Sequence, residues 1–179
     1  MNLDGLREAL PAYARDIANN LAHLASETLL GEQQKWGTFV ASAHAIGVPA
    51  VVRAVDASAA EAGLADEAKT AAKAAAAIMG MNNVYFRAVH VMEDQRYAAL
   101  PARLRLNILA NPGAPKVDFE LWSMAVSAIN GCGACMDSHA AALEKLGASA
   151  QQIQAAIRIG AVINAASRVV AAEAASHDG

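Results

Sequence analysis

An Ala-rich stretch at residues 66–92 constrains the fold of this 179-residue chain more than any other feature. Alanine has the highest helix propensity, so the stretch predicts one long helix, with Gly80 as the candidate break. Ala-rich helices can approach one another closely, which places this helix at the centre of a bundle. Because aromatic residues make up only 4% of the chain and β-branched runs are few, we expect an all-α protein.

Most other segments carry helical patterns that end at glycine or proline. The predicted helices cover residues 3–10, 12–25, 32–46, a segment starting at 47–49, 97–108 with an interruption or restart at Pro101, 118–130, 132–146, and 149 to about 175. Ser149 and Gln152 form a predicted capping box at the start of the last helix. The strongest turn signal is Asn-Pro-Gly-Ala-Pro at residues 111–115.

The length suits a single domain of residues 1–179, a multihelical bundle packed as one compact unit. A faint internal repeat relates two helical halves, approximately residues 1–110 and 111–179, because Trp36 and Val40 echo Trp122 and Val126. Both cysteines lie in the second half. Since 55% of the residues are hydrophobic and 17% are charged, we expect a homo-oligomer that buries helical faces.

Charge and composition argue against several classes of protein. The net charge is −3 and there is no basic cluster, so nucleic acid is not an expected partner. The first eight residues lack the layout of a signal peptide, and no uninterrupted apolar run reaches membrane-spanning length. We therefore expect a cytoplasmic protein that does not bind membranes, in which two cysteines spaced C-x-x-C indicate redox or metal chemistry.

Both cysteines lie in the segment at residues 130–139, Asn-Gly-Cys-Gly-Ala-Cys-Met-Asp-Ser-His. If this segment is helical, Cys132, Cys135 and His139 fall within an arc of about 60° on one helix face. Residues three apart on a helix have Cβ atoms about 5–6 Å apart, so a modest adjustment lets the two sulfurs bond. The spacing predicts a redox-active dithiol with an imidazole beside it.

Three local features can activate a thiol, whose thiolate is the reactive form. A helix starting near Cys132 places its positive end beside the sulfurs, and His139 can hold or relay a proton. Glu120 can act as a base toward a thiol. On one unbroken helix, however, Glu120 lies about 120° around the axis from Cys132. The carboxylate can therefore join the site only if the chain bends at Asn130-Gly131.

Other interpretations of these residues stay open. Cys132, Cys135, His139 and Glu120 can supply sulfur, nitrogen and oxygen ligands to zinc, although the chain lacks the second ligand pair of strong zinc motifs. The amides within residues 79–87 are expected to be buried, with satisfied hydrogen bonds to loop backbone. Alternatively, Asn83, Tyr85 or Arg87 lines the thiol site.

The pattern Glu120, eleven residues, Cys132-x-x-Cys135, three residues, His139 resembles the signature of the alkyl hydroperoxidase D (AhpD) family in the carboxymuconolactone decarboxylase-like superfamily. Residues 79–85 and the chain length are also similar to that family. The resemblance implies an all-helical fold of two related halves, a homotrimer, and no metal or flavin. It further implies a lipoyl-dependent peroxidase that reduces alkyl hydroperoxides, the peroxiredoxin AhpC, or both.

The resemblance also assigns roles to individual residues. Electrons come from dihydrolipoamide on a lipoylated protein such as dihydrolipoamide acyltransferase. Cys135 is the peroxidatic thiol and proton donor, Cys132 resolves the sulfenic acid into a disulfide, and Glu120 with His139 relays protons. Ala134 departs from better-known members, which carry a second histidine there. The alternatives are a thiol–disulfide electron-transfer adaptor without peroxidase activity and a lyase that acts on a small lactone.

Overall fold

The computed structural model describes residues 1–94 and 96–177, and within these ranges it contains helices and no β-strands. The helices are α1 (Leu3–Ala9), α2 (Arg15–Ser26), α3 (Glu32–Ile46), α4 (Pro49–Glu61), α5 (Asp66–Val91), α6 (Arg96–Ala99), α7 (Lys116–Ile129), α8 (Gly133–Lys145) and α9 (Ala150–His177). Two short 3₁₀ turns lie at Ala12–Ala14 and Asn107–Leu109. The predicted all-α bundle is confirmed.

Helix α3 lies at the middle of the bundle and contacts α5, α7, α9 and α4. Phe39 and Val40 on α3 are fully buried, together with Trp122 on α7 and Ile159 and Ile163 on α9. One hydrophobic cluster therefore draws on helices from both predicted halves of the chain. The proposed duplication of those halves remains a prediction.

The contact between α3 and α7 depends on a glycine. The indole of fully buried Trp122 lies against the backbone of Gly37, where an added Cβ would lie 2.3–2.4 Å from three indole atoms. The indole Nε1–H donates a hydrogen bond to the carbonyl of Gln34 at 3.1 Å. This packing fixes the position of α7, the helix that carries Glu120.

Helix α5 is continuous, so Gly80 does not break it as the sequence analysis had allowed. A glycine inside a helix costs only about 1 kcal/mol relative to alanine. The buried alanines and Met79 on the core side of α5 pack against the bundle and outweigh that cost. The long helix therefore carries the residues around Met79 past the thiol site.

The predicted helix at residues 97–108 is wrong in most of its length. Only α6 and the 3₁₀ turn at Asn107–Leu109 are helical there, and Arg103 has a left-handed backbone with a φ of 51°. Pro101 disfavours helical geometry at the residue before it. Neither short helix buries a residue, so packing does not stabilise a longer helix. We refer to residues 96–109 as the strap.

Helix α9 begins with the predicted capping box, which is confirmed. The backbone N–H of Gln152 donates to Ser149 Oγ at 3.3 Å, and that of Ser149 donates to Gln152 Oε1 at 2.9 Å. By length and composition, its segment Ala150–Ser176 is the one helix among residues 1–94 and 96–177 that reaches the requirement for a membrane span. It packs on α7, α3 and α2. One side of α9 is therefore buried in the bundle, and 39% of its most apolar stretch lies inside the structure.

A half-buried ion cluster joins α3, α4 and α5. Asp56 Oδ1 lies 3.1 Å from His44 Nε2, and Asp56 Oδ2 lies 3.2 Å from Lys69 Nζ. Burial raises the pKa of Asp56, but hydrogen bonds and charge from His44 and Lys69 outweigh burial and hold the pKa below its ordinary value. A carboxyl group whose pKa is lower in the folded state than in the unfolded state stabilises the fold at pH values above the unfolded-state pKa. This stabilisation is lost as the pH falls through the folded-state pKa.

We expect Asp56→Asn to lower the free energy of unfolding at pH 7 by about 1 kcal/mol, because the pair is partly exposed. The difference should begin to shrink below about pH 4, where the unfolded chain takes up the proton, and should vanish only below the lowered folded-state pKa. Urea unfolding followed by circular dichroism between pH 3 and pH 7 measures the difference. A difference that stays constant over this range would contradict the assigned role of Asp56.

Candidate active site

A sharp turn between α7 and α8 presents the two cysteines. Helix α7 ends at Ile129, Gly131 takes the left-handed conformation with a φ of 65°, and Cys132 is the N-cap of α8. Glycine suits this position because it has no Cβ to clash in that conformation. The N–H of Cys132 donates to the carbonyl of Ser127 at 3.0 Å. The chain therefore bends where the sequence analysis required it.

Polar side chains from α5 hold this turn. Fully buried Asn83 donates from Nδ2 to Ser127 Oγ at 2.9 Å and accepts from Asn130 Nδ2 at 3.0 Å. Arg87 donates from Nη1 to the carbonyl of Asn130. The expectation of a satisfied buried amide is confirmed for Asn83, but these partners are side chains and not the expected loop backbone. Asn83 and Arg87 support the turn and are not among the residues that line the cavity described below.

The structure joins Cys132 and Cys135 in a disulfide with a Cα–Cα distance of 5.2 Å. Cys132 is 0% exposed, whereas Cys135 is 8% exposed and lines a cavity. The two sulfurs therefore differ in access. A reactant that enters the cavity meets Cys135, whereas Cys132 has no exposed surface.

Glu120 and His139 form a pair beside the disulfide. Because a carboxylate accepts hydrogen bonds, Nδ1–H of His139 donates to Glu120 Oε2, at 2.7 Å. The other ring nitrogen, Nε2, lies 3.3 Å from the sulfur of Met79 on α5. Both members of the pair are largely buried. The two ring nitrogens thus face Glu120 and Met79. The ring also lines a cavity together with Cys135.

The cavity has a volume of about 310 Å³ and lies between α5, α8 and the strap. Its lining is mostly apolar and comprises Met79, Asn82, Phe86, Leu106, Leu109, Ala134, Cys135, Ser138 and His139. We call it the thiol cavity. Its size matches that of small-molecule sites, which are apolar clefts with a few placed polar groups.

A second cavity of about 310 Å³ adjoins the first. Phe86 and Ala134 line both, and Tyr85, one of the sequence candidates, lines the second. Ala134 occupies the position where the resemblance leads one to expect a histidine. Because Ala134 contributes to both walls, a larger side chain there would reduce the space next to Cys135.

The sequence analysis missed the residues of α5 and the strap that line the thiol cavity. Met79, Asn82 and Phe86 follow one another at spacings of three and four, so they share a face of α5. That spacing was visible in the sequence. The two strap residues, Leu106 and Leu109, had no such signal because they lie outside regular helix.

Zinc was the metal alternative for this site. In the part of the chain that the structure describes, no group of three or more His, Cys, Asp or Glu side chains is arranged to hold a metal ion. The ring nitrogens of His139 face Glu120 and Met79. Elemental analysis of protein purified without chelator tests the zinc alternative directly.

Known proteins resemble this chain over nearly its whole length. Alkyl hydroperoxide reductase AhpD of Maricaulis maris is 60% identical over 173 residues, which cover 97% of this chain and 99% of the relative. The protein of that name from Hyphomonas neptunium is 59% identical over 175 residues, covering 98% and 97% respectively. The sequence profile of the carboxymuconolactone decarboxylase family matches residues 95–178. The chain therefore belongs to the AhpD family of the carboxymuconolactone decarboxylase-like superfamily.

Proposed function

We propose that this protein is an antioxidant thiol peroxidase that reduces alkyl hydroperoxides through a Cys132–Cys135 dithiol/disulfide cycle. The observation that carries the proposal is a disulfide whose less buried member, Cys135, lines an apolar cavity together with His139. An apolar cavity suits the alkyl portion of a hydroperoxide, and the sulfur suits its peroxide group. The relatives' name, alkyl hydroperoxide reductase, supports the same assignment.

Access decides which thiol attacks the peroxide. Cys132 occupies the N-cap of α8, at the positive end of the helix dipole, but its side chain is completely buried. Cys135 reaches the cavity. We therefore assign the attack to Cys135. Its thiolate bonds to the terminal peroxide oxygen, the O–O bond breaks, and the alkoxide leaves with the electron pair and becomes an alcohol after protonation.

The remaining thiol completes the oxidation. The Cys132 thiolate attacks the sulfur of the Cys135 sulfenic acid, and the hydroxyl leaves as water after taking a proton. The product of this step is a Cys132–Cys135 disulfide, the pairing that is present in the structure. One hydroperoxide and two thiols thus give one alcohol, one water and one disulfide.

Dihydrolipoamide returns the two electrons in the proposed cycle. One of its thiolates attacks the accessible sulfur of Cys135, and Cys132 leaves as the thiolate that the start of α8 stabilises. The second lipoyl thiol then attacks the mixed disulfide, which releases Cys135 and closes the lipoyl disulfide. Because the external dithiol supplies both electrons, the cycle requires no bound metal or flavin.

Glu120 and His139 move protons in this scheme. Glu120 fixes the imidazole through Nδ1, which holds the ring at the cavity wall that it shares with Cys135. The ring can then take the proton of the Cys135 thiol and return one to the leaving alkoxide. This arrangement makes Glu120 the residue that orients His139.

We expect Glu120→Gln and His139→Gln each to lower kcat/KM for hydroperoxide by about 100-fold, the usual contribution of a positioned acid or base. Both changes should also slow alkylation of the reduced Cys135 thiol at neutral pH, because the ring no longer takes its proton. Asp137→Asn is the matched control, because Asp137 is an exposed carboxylate on the same helix. Activity that is the same in all three variants would remove the proton relay from the mechanism.

Several partners follow from the proposal. The electron donor is a lipoylated protein such as dihydrolipoamide acyltransferase, and the peroxiredoxin AhpC is a second acceptor of electrons. A dithiol that must be reduced between turnovers suits the cytoplasm. We further propose the homotrimer that the family resemblance implies, in which an interface would bury the exposed apolar stripe on α5 formed by Met81, Val84 and Val91. Sedimentation of the full chain measures the oligomeric state.

Steady-state assays separate this function from the two alternatives. A peroxidase consumes hydroperoxide with dihydrolipoamide alone, whereas an electron-transfer adaptor does so only when AhpC is added. The lyase alternative has support from the family profile that matches residues 95–178. That chemistry has no need of two thiols, so full lactone turnover by the Cys132→Ser and Cys135→Ser variants would favour the lyase.

A further inference from the structure

Two neighbouring asparagines on α5 have opposite environments. Asn83 is completely buried, and its amide is hydrogen-bonded to Ser127 and Asn130. Asn82 is 4% exposed, yet its Oδ1 has no hydrogen-bond partner among the described residues. Asn82 lines the thiol cavity together with Cys135 and His139. The hydrogen bonds of Asn83 explain its structural role, whereas no such contact explains Asn82.

A buried acceptor without a partner is costly, so its retention in a protein calls for an explanation. Most of the thiol-cavity wall is apolar and cannot donate to Asn82. His139 gives its Nδ1–H to Glu120, and Nε2 carries no proton in that tautomer, so the ring does not donate to Asn82 either. The Oδ1 atom itself is sealed from solvent, so a donor on a molecule that enters the cavity becomes its partner when the Asn82 amide turns about χ2 toward the cavity.

We propose that Asn82 is a substrate-binding residue whose Oδ1 accepts a hydrogen bond from the O–H of the alkyl hydroperoxide. This inference rests on the proposed peroxidase function. The hydrogen bond orients the terminal oxygen toward the sulfur of Cys135. When the thiolate forms the S–O bond and the O–O bond breaks, that oxygen keeps its hydrogen. The same acceptor therefore binds the hydroperoxide and then the hydroxyl of the Cys135 sulfenic acid.

The reductant does not offer the same donor. The thiolate of dihydrolipoamide that attacks Cys135 carries no proton, and a thiol S–H is only a weak donor. Asn82 should therefore matter for oxidation of the dithiol by hydroperoxide and not for reduction of the disulfide. A residue that only maintained the fold would affect both half-reactions.

Stopped-flow measurement of the two half-reactions tests this assignment on the full chain. We expect Asn82→Leu to lower the second-order rate constant for oxidation by cumene hydroperoxide by about 10- to 100-fold. The rate constant for reduction of the disulfide by dihydrolipoamide should stay within about twofold of the wild-type value, and Tm should not fall, because the lost acceptor had no protein partner. Asn82→Ala removes the same acceptor without adding volume and should give the same pattern.

Asn83→Leu is the matched control, because it removes an amide of the same size from the neighbouring position. It should lower Tm and slow both half-reactions through the turn that it supports. Equal losses in both half-reactions, or unchanged oxidation, in the Asn82 variants would overturn the assignment while leaving the peroxidase intact. Wild-type dithiol that cumene hydroperoxide does not oxidise would overturn the proposed function and this inference together.

Discussion

Replacement of Cys135 by serine is expected to abolish hydroperoxide reduction, with a loss of more than about 1,000-fold in kcat. Serine keeps the shape of the side chain but offers no thiolate at neutral pH. Because Cys132 is fully buried, it cannot take over the attack. Consumption of cumene hydroperoxide with dihydrolipoamide as the reductant measures the effect.

Cys132→Ser should behave differently from Cys135→Ser. The Cys132→Ser variant keeps the accessible thiol of Cys135, so it should still reduce one equivalent of hydroperoxide. This reaction should leave a sulfenic acid on Cys135, which dimedone traps. Disulfide formation and further turnover should then fail. Turnover at the wild-type rate in either variant would contradict the assigned order of the two thiols.

We expect Gly37→Ala to lower the free energy of unfolding by about 3 kcal/mol, at the upper end for overpacked cores. The new methyl group would meet three atoms of the Trp122 indole at 2.3–2.4 Å, so either the indole or helix α3 must move. Movement of the indole would also strain its hydrogen bond to the carbonyl of Gln34. Chemical denaturation of wild type and variant gives the difference.

Gly80→Ala provides the matched control for this prediction. Gly80 also lies inside a helix, but a Cβ added there meets nothing within 4 Å. Its replacement should raise the free energy of unfolding by up to about 1 kcal/mol through helix propensity alone. Equal stabilities for Gly37→Ala and the wild type would show that the contact between α3 and α7 is looser than the structure indicates.

Local sequence signals predicted most of the helices because those signals act within a few residues. Ser149 and Gln152 fix the start of α9 through their own hydrogen bonds. Gly131 has the left-handed geometry that the bend between α7 and α8 requires. Spacing alone likewise brought Cys132 and Cys135 within bonding distance.

Features that depend on distant packing could not be predicted in this way. The strap has a helical composition, yet no part of the bundle buries it as a helix. Two of its residues, Leu106 and Leu109, instead form part of the wall of the thiol cavity. The choice between Asn82 and Asn83 depends on how α5 is rotated about its axis, which its core contacts determine. Met79 lies 60 positions from His139 in the sequence, so their contact left no local pattern.

Mass spectrometry of the reduced chain after one equivalent of cumene hydroperoxide, in the absence of any peroxiredoxin, tests the central claim most directly. We predict that the hydroperoxide becomes cumyl alcohol and that the protein loses two hydrogen atoms in forming the Cys132–Cys135 disulfide. Dihydrolipoamide should then restore the starting mass. Hydroperoxide that persists beside a chain with both thiols intact would contradict the account.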